Sequence, residues 1–183
     1  GSPGSIVQAI QYAEAHGASI CNLSLGTAAF SEELDQAIRD SHMLFVIACG
    51  NGTDKGEGYD TDLTPIYPAS LPYDNVISVA SLLFDGSLAA SSNFGAASVD
   101  LAAPGSYILS TAPGGSYAFM SGTSMAAPMV TGTAAMVYSC RQDLTLEGVK
   151  NALLSSAKPM ESLQGKTVSG GMLDAYAALN YGL

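Results

Sequence analysis

Apolar and polar positions change period several times along the chain, and each change marks an element. Residues 5–16 carry apolar side chains at 6, 7, 10, 13 and 15, the spacing of an amphipathic helix that Gly17 can end. Ser19–Leu25 follows as a strand. A second helix is predicted over 31–41, where Ser31 can cap and Glu32 and Glu33 complement the positive end of the helix dipole. Met43–Cys49 and Val76–Ser81 are continuous apolar runs without alternation. Such strands are buried on both faces, so the pattern predicts an α/β fold with a mostly parallel sheet between helices.

Residues 51–65 form a long polar loop rich in Gly, Asp and Thr, and long loops in compact domains are often functional. From 82 to 122 the pattern shortens to strands at 100–103, 107–111 and 117–120, with breaks at Pro104-Gly105 and Pro113-Gly114-Gly115. This part reads as antiparallel or irregular. Residues 123–140, dominated by Met, Ala and Val, predict a helix buried all round. Helices over about 145–156 and 172–181 close the chain.

The length of 183 residues fits a single domain spanning the chain, with Gly1-Ser2-Pro3-Gly4 read as a linker, a cloning scar or a glycine-rich approach to the first helix. Hydrophobic residues make up 48% and charged residues 12%, which excludes a disordered chain. A net charge of −10 with six Lys and Arg excludes a nucleic-acid partner, because phosphate binding needs a concentrated basic surface. No apolar run approaches the ~20 residues that span a membrane, and no signal-peptide pattern opens the chain. Cys21, Cys49 and Cys140 are too few and too widely spaced for a thiolate metal site or a disulfide framework, and are expected as buried thiols.

Ser121-Gly122-Thr123-Ser124 lies where a short strand meets the long helix, so Ser124 falls in a first helical turn. Free N–H groups and the positive end of the dipole there suit a developing oxyanion. Pro128 is tolerated early in the helix. Alone, the segment would be a helix cap. Ala126 rules out the Gly-x-Ser-x-Gly elbow of α/β-hydrolases.

Gly122-Thr123-Ser124-Met125-Ala126-Ala127-Pro128 resembles the nucleophile segment of the subtilases, the subtilisin-like serine peptidases. Asn22-Leu23-Ser24-Leu25-Gly26 is similar to their substrate-binding strand, and Ala48-Cys49-Gly50-Asn51-Gly52 to their oxyanion-hole segment. Tyr67-Pro68-Ala69-Ser70 through Val76–Ser81, Ser92-Asn93-Phe94-Gly95 and Val99–Gly105 also match, in family order. The resemblance implies a three-layer fold with a seven-stranded sheet, and polypeptide substrates. It assigns Ser124 as nucleophile and Asn51 as oxyanion donor beside the Ser124 N–H. Ser24, Leu25 and Gly26 would pair with the substrate main chain. Ala48 and Gly50 would line the pocket for the residue before the scissile bond, with Ile66 as an apolar floor that makes it shallower than a glycine would. Met125 resembles an oxidation-sensitive family methionine and equally fills space. Met129 stands where most relatives carry a histidine that is not the general base.

A serine nucleophile needs a base and an orienting carboxylate, and in subtilisin both precede it. His16 and His42 lack the family's His-Gly-Thr-His setting and read as helix-end residues that complement the dipole. The match starts mid-domain, so about 100 residues bearing the Asp and His are expected from an N-terminal part of the same catalytic domain. The expected activity is that of a serine endopeptidase that is inactive without that part. The alternatives are a non-catalytic peptide-binding descendant and, more remotely, an acid-active sedolisin. The resemblance also implies an extracellular or cell-surface setting. No cofactor is needed for the chemistry. Calcium as a structural ion is conceivable at Asp54, Glu57, Asp60 and Asp62, whose spacing is not that of an EF-hand, or at Asp100 near the Ala69 main chain.

Overall fold

A computed structural model describes residues 1–182. Helix α1 (Pro3–Ala15) begins earlier than its apolar spacing suggests. Ser2 and Ser5 form a reciprocal capping box and Pro3 takes the first turn, where its missing N–H costs nothing. Residues 2–4 are therefore part of the helix start. Strand β1 (Ile20–Leu23) leads to α2 (Glu32–Asp40), which Ser31 caps through Leu34 N–H. Strands β2 (Leu44–Ala48) and β3 (Val76–Leu82) are buried at every position.

These strands, with β4 (Leu101–Pro104), β8 (Gly171–Met172) and β7 (Lys158–Pro159), form a six-stranded sheet in the order β1-β2-β3-β4-β8-β7. Only the β7–β8 pairing is antiparallel. The sheet has six strands, and the seven named above are those of the whole family domain. β4, expected in an antiparallel or irregular stretch, instead pairs in parallel with β3. β1 is an edge strand, with β2 as its sole neighbour among the described residues, and it is only partly buried where a buried strand was expected.

Alternate side chains of β2 serve opposite layers. Phe45 and Ile47 pack with Ile10, Leu34 and Ile38 of α1 and α2. Leu44, Val46 and Ala48 pack with Ala126, Val130, Ala134 and Val137 of α3 (Thr123–Cys140) and with Val149 and Leu153 of α4 (Leu146–Ser155). The short α5 (Ala175–Leu179) completes that layer through Ala178. This is the predicted three-layer arrangement.

Strands β5 (Ile108–Ala112) and β6 (Ser116–Met120) form a separate antiparallel hairpin that delivers the chain to α3. The start of α3 is locked onto the end of β4: Gly122 N–H donates to Gly105 O at 2.8 Å. Gly122 has φ 141°, and a Cβ on Gly105 would stand 2.7 Å from Gly122 O, so neither position admits a side chain. α3 is not buried all round. One face fills the core, while Met129, Met136 and Tyr138 are 37%, 46% and 39% exposed. Of the cysteines, Cys49 is buried, Cys21 is half-buried and Cys140 is exposed at the end of α3, contrary to the expectation of three buried thiols.

Candidate active site

Ligands of open parallel α/β sheets bind beyond the carboxyl ends of the strands. Here the ends of β1 and β2 face the start of α3 across a cavity of about 210 Å³. Leu25, Gly26, Ala48, Gly50, Asn51 and Ser124 all line it. Ser24, the seventh residue expected at the site, is hydrogen-bonded to the nucleophile's own carbonyl: its Oγ donates to Ser124 O at 2.8 Å.

The bond from Ser24 has a local cause. Pro128 has no N–H, so the helical bond that would end on Ser124 O is missing. The Ser24 hydroxyl fills that gap. Asn22 Nδ2 donates to Ser24 Oγ at 2.9 Å, and Thr131 Oγ1 donates to Asn22 Oδ1 at 2.8 Å. β1 is thereby stitched to the first turns of α3. Sequence reading placed Pro128 as merely tolerated and Ser24 as a main-chain contact. The signal available was that proline four residues after the serine must leave a carbonyl unpaired.

Asn51 supplies the second fixed element. Its Oδ1 accepts from Thr123 N–H at 2.8 Å and from Thr123 Oγ1 at 3.1 Å. Gly122, at the cap position, has no side chain to satisfy that first N–H, so a residue 72 positions away caps the helix instead. With its oxygen held, the two Nδ2 donors of Asn51 point elsewhere and take no acceptor among the described residues. The Ser124 N–H is likewise without an intramolecular acceptor, as expected for the first turn of a helix. The Ser24, Leu25 and Gly26 N–H groups also lack one, so the β1 continuation offers free main-chain groups.

Behind the cleft, Asn93 is buried and ties its walls together. Its Nδ2 donates to Cys49 O at 3.0 Å, its Oδ1 accepts from Tyr59 N–H at 3.1 Å, and its own N–H donates to Gly50 O at 3.0 Å. Gly50 has φ 99°, and a Cβ there would lie 2.6 Å from Asn93 Nδ2. Burial pushes the Cys49 thiol up to about 12, so it stays protonated and acts as packing. Sequence reading gave Asn93 no role, since its contacts lie 44 and 34 residues away.

Neither histidine lines the cleft. His16 caps α1, with Nδ1 2.7 Å from Tyr12 O and its ring stacked on Tyr12 at 4.0 Å. His42 lies two residues beyond α2, where its N–H donates to Glu14 Oε1 at 2.7 Å.

The two acidic regions have other partners. Asp62 accepts from the Ser98 hydroxyl and from the Ala97 and Ser98 N–H groups; burial would raise its carboxyl, yet these bonds hold it below the usual value. Asp60 Oδ1 accepts from Asp62 N–H at 2.9 Å. Asp100 lies on a larger cavity of about 540 Å³, away from Ser124. There Lys150 Nζ donates to Val76 O at 2.6 Å and to Tyr73 O at 3.5 Å, and stands 3.8 Å from Asp100 Oδ1. Lys150 thus places an ammonium beside Asp100, bonded to carbonyls other than that of Ala69. No group of three or more His, Cys, Asp or Glu among the described residues is placed to hold a metal.

Fold and cleft together define an α/β protein of the subtilisin-like class. Residues 1–176 match the Subtilase family, and the chain belongs to it. It is 33% identical to Subtilisin Savinase of Lederbergia lenta, covering 97% of this chain and 62% of that protein. It is 34% identical to Thermitase of Thermoactinomyces vulgaris, covering 97% of this chain and 60% of that protein. The chain thus spans about 60% of these relatives. Among solved structures, that of the prenylagaramide maturation protease PagA superposes with a TM-score of 0.83 at 31% identity, covering 98% of this chain and 67% of that one.

Proposed function

We propose that this chain carries the nucleophile and oxyanion hole of a serine endopeptidase whose base and orienting carboxylate come from an N-terminal part of the same catalytic domain. One observation carries the reading. Thr123 fixes Asn51 by its oxygen, which leaves Nδ2 donors and the Ser124 N–H unspent at the start of α3, where an oxyanion would form. Ser124 Oγ attacks the scissile carbonyl, and an upstream histidine takes its proton. The Asn51 amide and Ser124 N–H hold the oxygen that becomes negative. Extended polypeptide substrates pair with the free main-chain groups of Ser24–Gly26. The groups doing this chemistry are all protein groups, and the setting proposed is extracellular or at the cell surface, as is common among subtilases. No described helix is long and apolar enough to cross a membrane.

Two open surfaces support the missing-part reading: the unpaired edge of β1, and the exposed face of α3 with Met129 and Met136. Unpaired edges and apolar faces are normally covered. The second reading is a non-catalytic peptide binder that uses the same cleft.

A fluorophosphonate probe separates the two. The expected result is labelling of Ser124 when the N-terminal part is present, with none in its absence and none in Ser124→Ala. Turnover of a chromogenic peptide by the chain alone, lost in Ser124→Ala, would overturn the missing-part reading. Saturable peptide binding without labelling under any condition would favour the binder.

A further inference from the structure

We infer that Asn51 is a site of spontaneous deamidation, at which the amide becomes an aspartate or isoaspartate carboxylate; the consequence for catalysis rests on the cleft reading above. Of Asn22, Asn51, Asn75, Asn93, Asn151 and Asn180, only Asn51 precedes a glycine. Deamidation begins when the next main-chain nitrogen attacks the side-chain carbonyl, and glycine puts no side chain in the way of that turn.

The main chain is free to make it. The peptide plane between the two residues carries the Asn51 carbonyl and the Gly52 N–H, and neither has a hydrogen-bond partner among the described residues. The planes on either side are pinned, by Asn93 N–H to Gly50 O at 3.0 Å and by Thr53 N–H to Glu57 O at 3.0 Å. Asn51 is exposed, so water reaches it.

The side chain is also activated. Thr123 N–H and Thr123 Oγ1 donate to Asn51 Oδ1 at 2.8 and 3.1 Å, at the positive end of the α3 dipole. When the Gly52 nitrogen adds to Asn51 Cγ, negative charge gathers on Oδ1, where these donors meet it. The other half of the amide is the leaving group, and Nδ2 takes no acceptor among the described residues that would hold it. The Gly52 nitrogen bonds to Cγ and gives up its proton; the Cγ–Nδ2 bond breaks, and Nδ2 departs with that proton as ammonia, leaving a succinimide ring. Water then opens either ring carbonyl, giving aspartate or isoaspartate. Nothing is oxidised or reduced, and water is the sole co-reactant.

The aspartate product keeps the helix cap and loses the oxyanion donor. A carboxylate oxygen still accepts from Thr123, and its charge suits a helix N-terminus. It has no N–H to give, and its charge opposes an oxyanion.

The test incubates the full protein, assembled with the N-terminal part, at mildly alkaline pH. Peptide mapping by mass spectrometry then reads the conversion of amide to acid at each asparagine, and the Ser124→Ala form gives the same map without self-digestion. Asn51 is expected to convert ahead of every other asparagine of the chain. In the active form kcat should fall in step with the converted fraction, each converted molecule turning over about 10²–10³-fold more slowly. Asn51→Asp should reproduce that loss while keeping the urea midpoint. Thr123→Val, which removes the hydroxyl donor at similar volume, should slow the conversion, and Thr123→Ser should restore it. Conversion no faster at Asn51 than at Asn22 or Asn180, or seen only after unfolding in urea, overturns the inference. Equal rates in the parent and Thr123→Val overturn the activation by Thr123. If the assembled protein turns over no peptide, the proposed function fails, and the map still reads the conversion.

Discussion

Two polar clusters in this chain are built to opposite rules. At Asp100 and Lys150 both side chains are only 16% exposed, and each charge faces a partner inside the protein: Lys150 meets Val76 O and Tyr73 O and stands 3.8 Å from Asp100 Oδ1, and Asp100 Oδ2 accepts from Ser78 N–H at 2.7 Å. At Asn51, Thr123 and Ser124, bonds are spent only on the side away from the cleft. Thr123 holds the Asn51 oxygen and Ser24 holds the Ser124 carbonyl, while the Asn51 amide donors and the Ser124 N–H stay free. A charge that must persist in the interior has to be fully met. A charge that exists only during a reaction is best served by donors fixed in advance and left vacant. Both clusters are stabilised by long-range pairing, and they differ in which atoms the pairing consumes.

The largest expected effect falls on the closed cluster. Lys150→Met leaves Asp100 buried without its partner, and should lower stability by about 3–5 kcal/mol, read as a shift in urea midpoint of the assembled protein. Replacing both members by apolar residues of similar volume should recover most of that loss; a double variant as unstable as the single one would contradict the pairing.

At the open cluster the effect should appear in rate. For Asn51→Ala the expected loss is about 10²–10³-fold in kcat, the magnitude known for removing one oxyanion donor in subtilisin itself. Removing Asn51 also uncaps α3, at about 1 kcal/mol of stability. A stability loss with kcat unchanged would make Asn51 a cap and nothing more.

Ser24→Ala sharpens the distinction further. It should cost about 0.5–1.5 kcal/mol in the same urea measurement, because the carbonyl freed by Pro128 lies near solvent and finds water. If Ser24 positions the nucleophile, kcat falls while KM stays, and Ser24→Thr restores it. A change confined to stability would reduce its role to stitching β1 to α3.

The smallest effect is in pH dependence. Burial holds the Asp100 carboxyl above its usual 3.8, against the pull of Lys150 and the Ser78 N–H. Its folded pKa is thus the higher one, so its contribution is fully present below about pH 3.8 and is lost as pH rises through the folded value. The difference in urea midpoint between the parent and Asp100→Asn, followed from about pH 3.5 to 7, should show this slope, with the parent losing ground as pH rises. The deficit of Lys150→Met should shrink toward the acid end, where protonation removes the unpaired charge.

Much of this architecture was legible beforehand. The unbroken apolar runs at Met43–Cys49 and Val76–Ser81 could be satisfied only between two layers, and they became β2 and β3 with every residue buried. The boundaries of α3 followed from composition. What misled was context. The Met, Ala and Val of α3 look alike on all sides, yet Met129 and Met136 face outward because no described element packs there. β4 sits among turns that suggested antiparallel pairing, and the neighbouring strand β3 set its direction. β7 and β8 are two residues each, too short for any period to register.

By itself, the sequence determined the local chemistry: a serine in a first helical turn, an asparagine between two glycines after a buried strand, and a proline that deprives a carbonyl of its helical partner. These follow from backbone geometry within a few residues. Only the tertiary structure decided what each group is free to do. Asn51 could have spent its amide anywhere. It is the approach of Thr123 from 72 positions away that consumes the oxygen and leaves the donors, and the approach of Lys150 from 50 positions away that closes the acidic site instead. Hydrogen-bonding capacity is written in the residue type, but which atoms remain unspent depends on neighbours that only the fold brings within about 3 Å.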